Sequence, residues 1–386
     1  MTERNITVGI LNGKRISFSL CGYNIPDGDY SAEYADGRIR LYGNTHEVID
    51  SNSENEVLFT PQNDKAFFTL HDVTIGIQFH WQRQEDQMFR GSLRFIIDGD
   101  IITAINIISL EDYLTCVISS EMNANASLEF LKAHAVISRS WAYARITQFS
   151  HHTLFDVCAD DHCQRYQGIG RVTNDNAVRA VKETEDEVLV YDGEICDTRY
   201  SKCCGGKTEL FSTCWEDEDK PYLVCKEDPY CNTSDKEVLS QVLNSYDMET
   251  MDFHDWEVHY TTDELSSLLR KKLPGFKGTV RELQPVSYGP SDRIKQLRII
   301  SDKSDITIGK ELAIRRALSL THLKSSAFTI THTEDGFLLK GKGWGHGVGL
   351  CQIGAAVMGN KGFRYRDILE YYYPGTEIKA IDSLSC

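Results

Sequence analysis

The chain has 386 residues, with 41 Lys plus Arg against 57 Asp plus Glu and a formal net charge of −16. That length supports two or three compact units and a substantial core. The acidic balance speaks against a nucleic-acid surface, which needs concentrated cationic charge to meet phosphate, and leaves neutral polymers, cations and peptides as candidate ligands.

The first residues, Met1 to Leu11, lack the uninterrupted apolar stretch of a signal peptide. No later window offers about eighteen uncharged apolar residues, so no transmembrane segment is expected. On these grounds the chain is either cytoplasmic or secreted after loss of a leader.

From Ile6 to about Ile108 short alternating runs predict strands, among them Arg38 to Tyr42, Ala66 to Leu70 and Ile75 to Phe79. Two apolar runs around Asp98-Gly99, between Phe95 and Ile105, carry the strongest hairpin signal. Residues 1–105 therefore form a β-rich N-terminal region.

A helical pair follows. Leu110, Leu114 and Val117 keep helical spacing, and Glu121 takes the next place on that stripe, facing a partly buried side. Desolvation there is expected to raise the carboxyl pKa, which suits a general acid near neutral pH. Ser127 can cap a second helix whose Leu128, Leu131, Ala135, Ser138 and Ala142 form a narrow small-residue face. The pair is expected to be a helical hairpin with Glu121 at its bend.

After it, His152, Cys158 and Cys163 lie in a short loop whose nitrogen and sulfur donors suit zinc, with His151 and His162 as alternative ligands and a disulfide or free thiols as the competing reading. A helix is predicted near Asn174 to Glu183, then strands near Val188 to Tyr191 and Ile195 to Tyr200. Tyr200 to Thr208 joins strand to glycine turn and carries hydroxyl, amine and thiol groups. Cys203 or Cys204 as nucleophile with His346 as base would make a thiol enzyme. Six cysteines crowd Cys196 to Cys231, open to disulfides, a metal or free thiols.

From about Glu216 the character changes, first acidic, then with a helix predicted over Thr262 to Lys272, so 216–289 reads as an inserted subdomain. Strands return from Ile294 to Ile308, followed by a short basic helix. Gly341 to Gly349 has glycine at every second position, which strips one backbone face and implies a close approach. There is no Gly-Lys-Ser/Thr ending and no dinucleotide spacing, so no nucleotide is expected. Trp344 and His346 suit a sugar-facing loop, the ring covering C–H surface and the imidazole bonding a hydroxyl.

Taken together, Leu110 to Arg145, His152 to Gln164, Tyr200 to Gly206 and Gly343 to Ala355 resemble the SpoIID/LytB family, the sporulation stage II protein D and amidase-enhancer group, in order and spacing. The resemblance implies an α+β fold: the β-rich N-terminal region, a core of 106–215 and 290–386 with a helical hairpin carrying the catalytic glutamate, mixed strands, and a glycine-rich loop closing the cleft. It implies a peptidoglycan lytic transglycosylase acting on peptide-free glycan strands, with Glu121 as general acid and then base, and a cell-envelope location. It places one zinc ion on His152, Cys158 and Cys163, although members differ in holding it. Expected substrate contacts are Arg139, Tyr143, Tyr200, Ser201, Gly205, Gly206, Trp344, His346 and Gln352. The partners it implies are peptidoglycan glycan strands and, in the rival reading of a non-catalytic binding module, a cell-wall amidase. Cys116, His134 and the Cys203-Cys204 pair depart from the family's usual residues near the expected cleft.

Overall fold

The computed structural model describes residues 4–43, 48–49, 55–77, 82–123, 125–148, 152–160, 162–243 and 252–384. The expected α+β class is what it shows. Two sheets make the N-terminal region, antiparallel except where Val157 and Cys158 pair in parallel with Val8 and Gly9. One runs 48–49, Arg38–Tyr42, Gly28–Ala35, Arg15–Cys21, Phe67–Ile75, Arg83–Phe89. The other centres on Asn5–Gly13, Ile101–Ser109 and Ser92–Asp98, with Glu56–Phe59 at one edge. Alternation of buried and exposed residues, as in Arg15–Cys21, gives each sheet an apolar inner face. Phe18 of the first sheet meets Phe95 and Phe59 of the second at ring distances of 5.0 and 5.4 Å.

The Asp98-Gly99 turn forms as expected, with Ile101 paired to Asp98. The strand expected over 75–79 ends at Ile75, and residues 78–79 lie outside the described residues.

The last strand of this region runs into helix α1, Leu110–Glu121, capped by the Ser109 hydroxyl accepting from the Asp112 N–H at 3.2 Å. Glu111 and Asp112 in its first turn suit the positive end of the helix dipole. After a short turn comes α2, Leu128–Gln148, whose Phe130 N–H donates to the Ser127 hydroxyl. Helix α3, Asn176–Glu183, the strand Glu187–Tyr191 and the helices Gln352–Asn360 and Tyr365–Tyr372 all pack on α2. Only Glu194–Ile195 and Tyr200–Ser201 are strand where a continuous one was expected over 195–200.

A second hydrophobic core gathers Trp256, Leu265, Leu269, Leu297, Ile299 and Leu339. Its members come from both sides of residue 290. The helix Thr262–Lys272 forms over the expected residues, held by a capping box between Thr261 and Glu264.

Candidate functional site

Glu121 is the last residue of α1, and the chain turns extended at Met122. Its Oε1 accepts a hydrogen bond from the Tyr200 hydroxyl at 3.2 Å and another from the Arg165 backbone N–H at 3.1 Å. Buried Gln164 links the surroundings: its amide donates to the Tyr200 oxygen at 3.4 Å, and its carbonyl oxygen accepts from the Tyr113 hydroxyl at 3.1 Å. Burial, with the Glu121 charge beside it, raises the Tyr200 phenol well above its usual range, so the hydroxyl stays protonated and remains a donor.

Tyr200 is the junction of the site. Its ring lies edge-on to His134 with centroids 4.6 Å apart, and its backbone bonds His346. Residues 200–201 pair in parallel with 350–351, which brings the start of the Gln352 helix alongside. The fully buried His134 ring has Gln352 Nε2 at 3.2 Å from its Nε2 and the Ser138 hydroxyl at 3.0 Å from its Nδ1. An amide nitrogen only donates, so Nε2 accepts and Nδ1–H donates to Ser138. Burial and the nearby Lys202 push the imidazole pKa down to about 3 and keep it neutral.

The glycine loop lies against Arg199 to Gly205. Gly343, Gly345, Gly347 and Gly349 all have positive φ, the left-handed conformation in which a side chain is strained. At Gly347 a Cβ would lie 2.5 Å from Arg293 Cζ, and at Gly349 2.0 Å from the Arg199 carbonyl. The alternate glycines thus answer close approach by this chain's own backbone and guanidinium. Trp344 exchanges two backbone hydrogen bonds with Cys203, at 2.8 and 3.0 Å. Ser201 is buried beneath the loop and accepts from the Gly347 N–H at 3.2 Å. Gly205 is pressed against Gly343, whose nitrogen would be 2.8 Å from its Cβ, and Gly206 gives its N–H to the Cys231 sulfur at 2.9 Å.

His346 Nδ1 accepts from the Val348 N–H at 3.0 Å, and its ring meets Trp215 edge-on at 4.8 Å. Burial and the positive charges of Arg199, Arg293 and Arg315 hold its pKa well below the usual range. Cys203 and Cys204 turn instead into a buried group with Cys231 and Cys351. The His346 imidazole therefore has other partners, and the pairing required for a thiol nucleophile and its base is not made.

Two expected substrate contacts lie elsewhere. The Arg139 guanidinium is fully buried, bonding both Glu111 oxygens at 2.8 and 2.6 Å and the Glu187 carbonyl at 3.0 Å. Glu111 is ten residues before Glu121 on α1, about 15 Å along the helix. Tyr143 packs beneath the Arg4 guanidinium at 5.4 Å, towards the far end of α2. Of the departures expected near the cleft, His134 is there, whereas Cys116 is buried among core residues and its thiol is pushed up to about 12.

The donor atoms of His152, Cys158, His162 and Cys163 all lie within 4.8 Å of one another. Two imidazoles and two thiols gathered in this way fit a tetrahedral zinc ion, with His162 as the fourth ligand. His151 lies outside the described residues. The loop is pinned by Cys158, whose strand pairs with Val8 and Gly9, and by Phe155, which fills the space a Cβ on Gly9 would need. It ends immediately before Gln164 and Arg165, the two residues that reach Tyr200 and Glu121.

Residues 98–191 match the family model described as Stage II sporulation protein, and residues 209–349 match a domain of unknown function, DUF8618. An uncharacterised protein of Brachyspira hyodysenteriae is 33% identical over 290 residues, 75% of this chain and 72% of that protein. The Amidase enhancer of Bacillus subtilis is 27% identical over 68% of this chain and 39% of its own length, and the Stage II sporulation protein D of the same organism 25% identical over 72% and 76%.

The chain belongs to the SpoIID/LytB family. Family membership supports a role at the cell wall. Within the SpoIID match lie Glu121 and the four-donor loop, while Tyr200 and the glycine loop fall outside it. Sequence reasoning missed Gln164 as a bridge and the Arg165 N–H as a donor, since a backbone donor has no residue signature. It also missed Trp215 behind His346 and Arg293 beneath the glycine loop. The spacing of aromatic and basic residues along the chain carries no sign of either contact.

Proposed function

We propose that this protein is a lytic transglycosylase that cleaves the bond between N-acetylmuramic acid and N-acetylglucosamine in peptide-free glycan strands, leaving 1,6-anhydro ends. The observation that carries the reading is the Glu121 carboxylate at a helix end, met by the Tyr200 hydroxyl and the Arg165 N–H on one oxygen. In its acid form Glu121 passes its proton to the glycosidic oxygen. As that bond breaks, positive charge develops at C1 and the sugar's own C6 hydroxyl attacks it, giving its proton to the Glu121 carboxylate. The glutamate is restored as an acid and no water is consumed. One carboxyl does both jobs, unlike hydrolysis by two carboxylates. Tyr200 and Arg165 stabilise the anionic half of the cycle. Trp344 supplies an aromatic face for sugar C–H groups, while His346, whose ring is bonded to Val348 and Tyr200, holds the loop that carries it.

Zinc on His152, Cys158, His162 and Cys163 would complete its coordination with protein donors and act structurally, holding Gln164 and Arg165 in reach of Tyr200 and Glu121. Glu121→Gln should abolish anhydro-muramyl ends, read by mass spectrometry of digested peptide-free glycan, while leaving folding and glycan binding intact. Unchanged release by the variant rules out this role for Glu121.

The Amidase enhancer relative favours one other reading, a glycan-binding partner of a cell-wall amidase. It predicts glycan binding with no product from the isolated protein and a gain in amidase rate when the two are mixed.

A further inference from the structure

A second cluster of metal-ligating groups lies around Cys204, a few residues after Tyr200 in the chain. The sulfurs of Cys204, Cys231 and Cys351 and a carboxylate oxygen of Asp228 all lie within 4.8 Å of one another, and all four residues are buried. Cys203 bonds the thiols of Cys231 and Cys351, and His254 bonds Cys231. The four candidate ligands come from three stretches of the chain, at 204, 228–231 and 351.

We infer that Cys204, Cys231, Cys351 and Asp228 form a second, buried metal centre for a thiophilic divalent ion of the zinc class. Three soft sulfur donors with one carboxylate favour zinc over magnesium or calcium, and a donor set wholly of protein groups is that of a structural site. The backbone is arranged for sulfur anions. Cys351 Sγ accepts from the Cys204 N–H at 3.3 Å and from the Gly354 N–H at 3.4 Å, and Cys231 Sγ from the Gly206 N–H at 2.9 Å. Cys351 is moreover the N-cap of the helix Gln352–Asn360. A neutral thiol is a weak acceptor there, whereas a thiolate gains from both the N–H groups and the helix dipole. Asp228 is itself held by the Tyr230 N–H and the Tyr372 hydroxyl, both at 3.0 Å, as a ligating carboxylate usually is.

The centre would clasp the segment after Tyr200–Ser201 to the 228–231 loop and to the helix start that carries Gln352. It would hold that part of the site as metal at the His152 loop would hold Gln164 and Arg165. Binding replaces three thiol protons with the metal, so the thiolates form as the ion enters.

The test is metal content of the full chain purified under reducing conditions. Metal that survives Cys158→Ser/Cys163→Ser and is lost in Cys231→Ser/Cys351→Ser is expected, about one equivalent at this site. Should the latter pair not fold, Co2+ added to apo Cys158→Ser/Cys163→Ser reads the intact second site. A sulfur-to-cobalt charge-transfer band that zinc abolishes is the expected result. No metal beyond that bound through Cys158 and Cys163, no such band, or a disulfide joining two of Cys203, Cys204, Cys231 and Cys351 in the reduced protein would overturn the inference. None of these outcomes touches the role proposed for Glu121.

Discussion

The Tyr200 hydroxyl donates to Glu121 Oε1 at 3.2 Å, joining the end of α1 to a strand 79 residues later. That bond aims the carboxylate and is the most direct handle on the proposed chemistry. Tyr200→Phe removes the donor and little volume. The release of anhydro ends in single turnover should fall by about 10- to 100-fold while the affinity for glycan stays the same. An unaltered rate would show that the hydroxyl has no part in the reaction.

Arg139 makes a different kind of contact. Its fully buried guanidinium pairs with Glu111 and also bonds the Glu187 carbonyl, so Arg139→Ala removes the ion pair and that carbonyl's side-chain donor. A loss of about 3 kcal/mol in urea unfolding is expected, with glycan affinity of the folded protein unchanged. A selective loss of glycan affinity would instead return Arg139 to the substrate.

His134 should make stability acid-sensitive. Its folded pKa of about 3 lies below the ordinary 6.5, so between those values the unfolded chain binds a proton that the folded one does not. The stability it contributes is complete above pH 6.5 and is lost as pH falls towards 3. At pH 5 the loss relative to pH 7 is about 2 kcal/mol. His134→Gln should remove that component, and urea unfolding of both proteins at the two pH values checks it. Parallel pH dependence in the two proteins would contradict the buried neutral imidazole.

The glycine loop allows a controlled comparison. Gly347→Ala combines positive φ with a Cβ 2.5 Å from Arg293 Cζ, whereas Gly362→Ala has positive φ with nothing within 4 Å. The second change should cost about 1 kcal/mol and the first about 3 kcal/mol or more. Thermal melts of both variants measure the difference, and equal losses would mean that contact with Arg293 does not shape the loop.

Metal at the His152 loop should control Gln164 and Arg165. In Cys158→Ser, hydrogen exchange over residues 152–166 should quicken and the release of anhydro ends should fall, with the sheet of Arg15–Cys21 and Phe67–Ile75 unaffected. Unchanged exchange across that segment would separate the loop from Glu121.

Much of this was legible in the chain itself. Period-3.6 spacing marked α1, α2 and the helix Thr262–Lys272, and the Asp98-Gly99 turn marked its hairpin, because these signals are local. The alternate glycines announced a close approach without naming its partner. Arg139 and Tyr143, expected as cleft groups, have Glu111 and Arg4 as partners. Both lie on α2 in a matching block, but a helix presents all its faces to sequence comparison and only packing tells which one meets the site.

The sequence by itself determined the elements, the blocks that bear chemistry, their order, and the donor-rich loop at His152 to Cys163. Only the tertiary structure decided that Tyr200 reaches Glu121, that His134 is held neutral by Gln352 and Ser138, and that Cys204 meets Cys351 across 147 residues. The physical reason is range. Periodicity and turn chemistry act over a few residues, whereas the partner of a buried polar group is chosen when distant segments pack and each donor must find an acceptor.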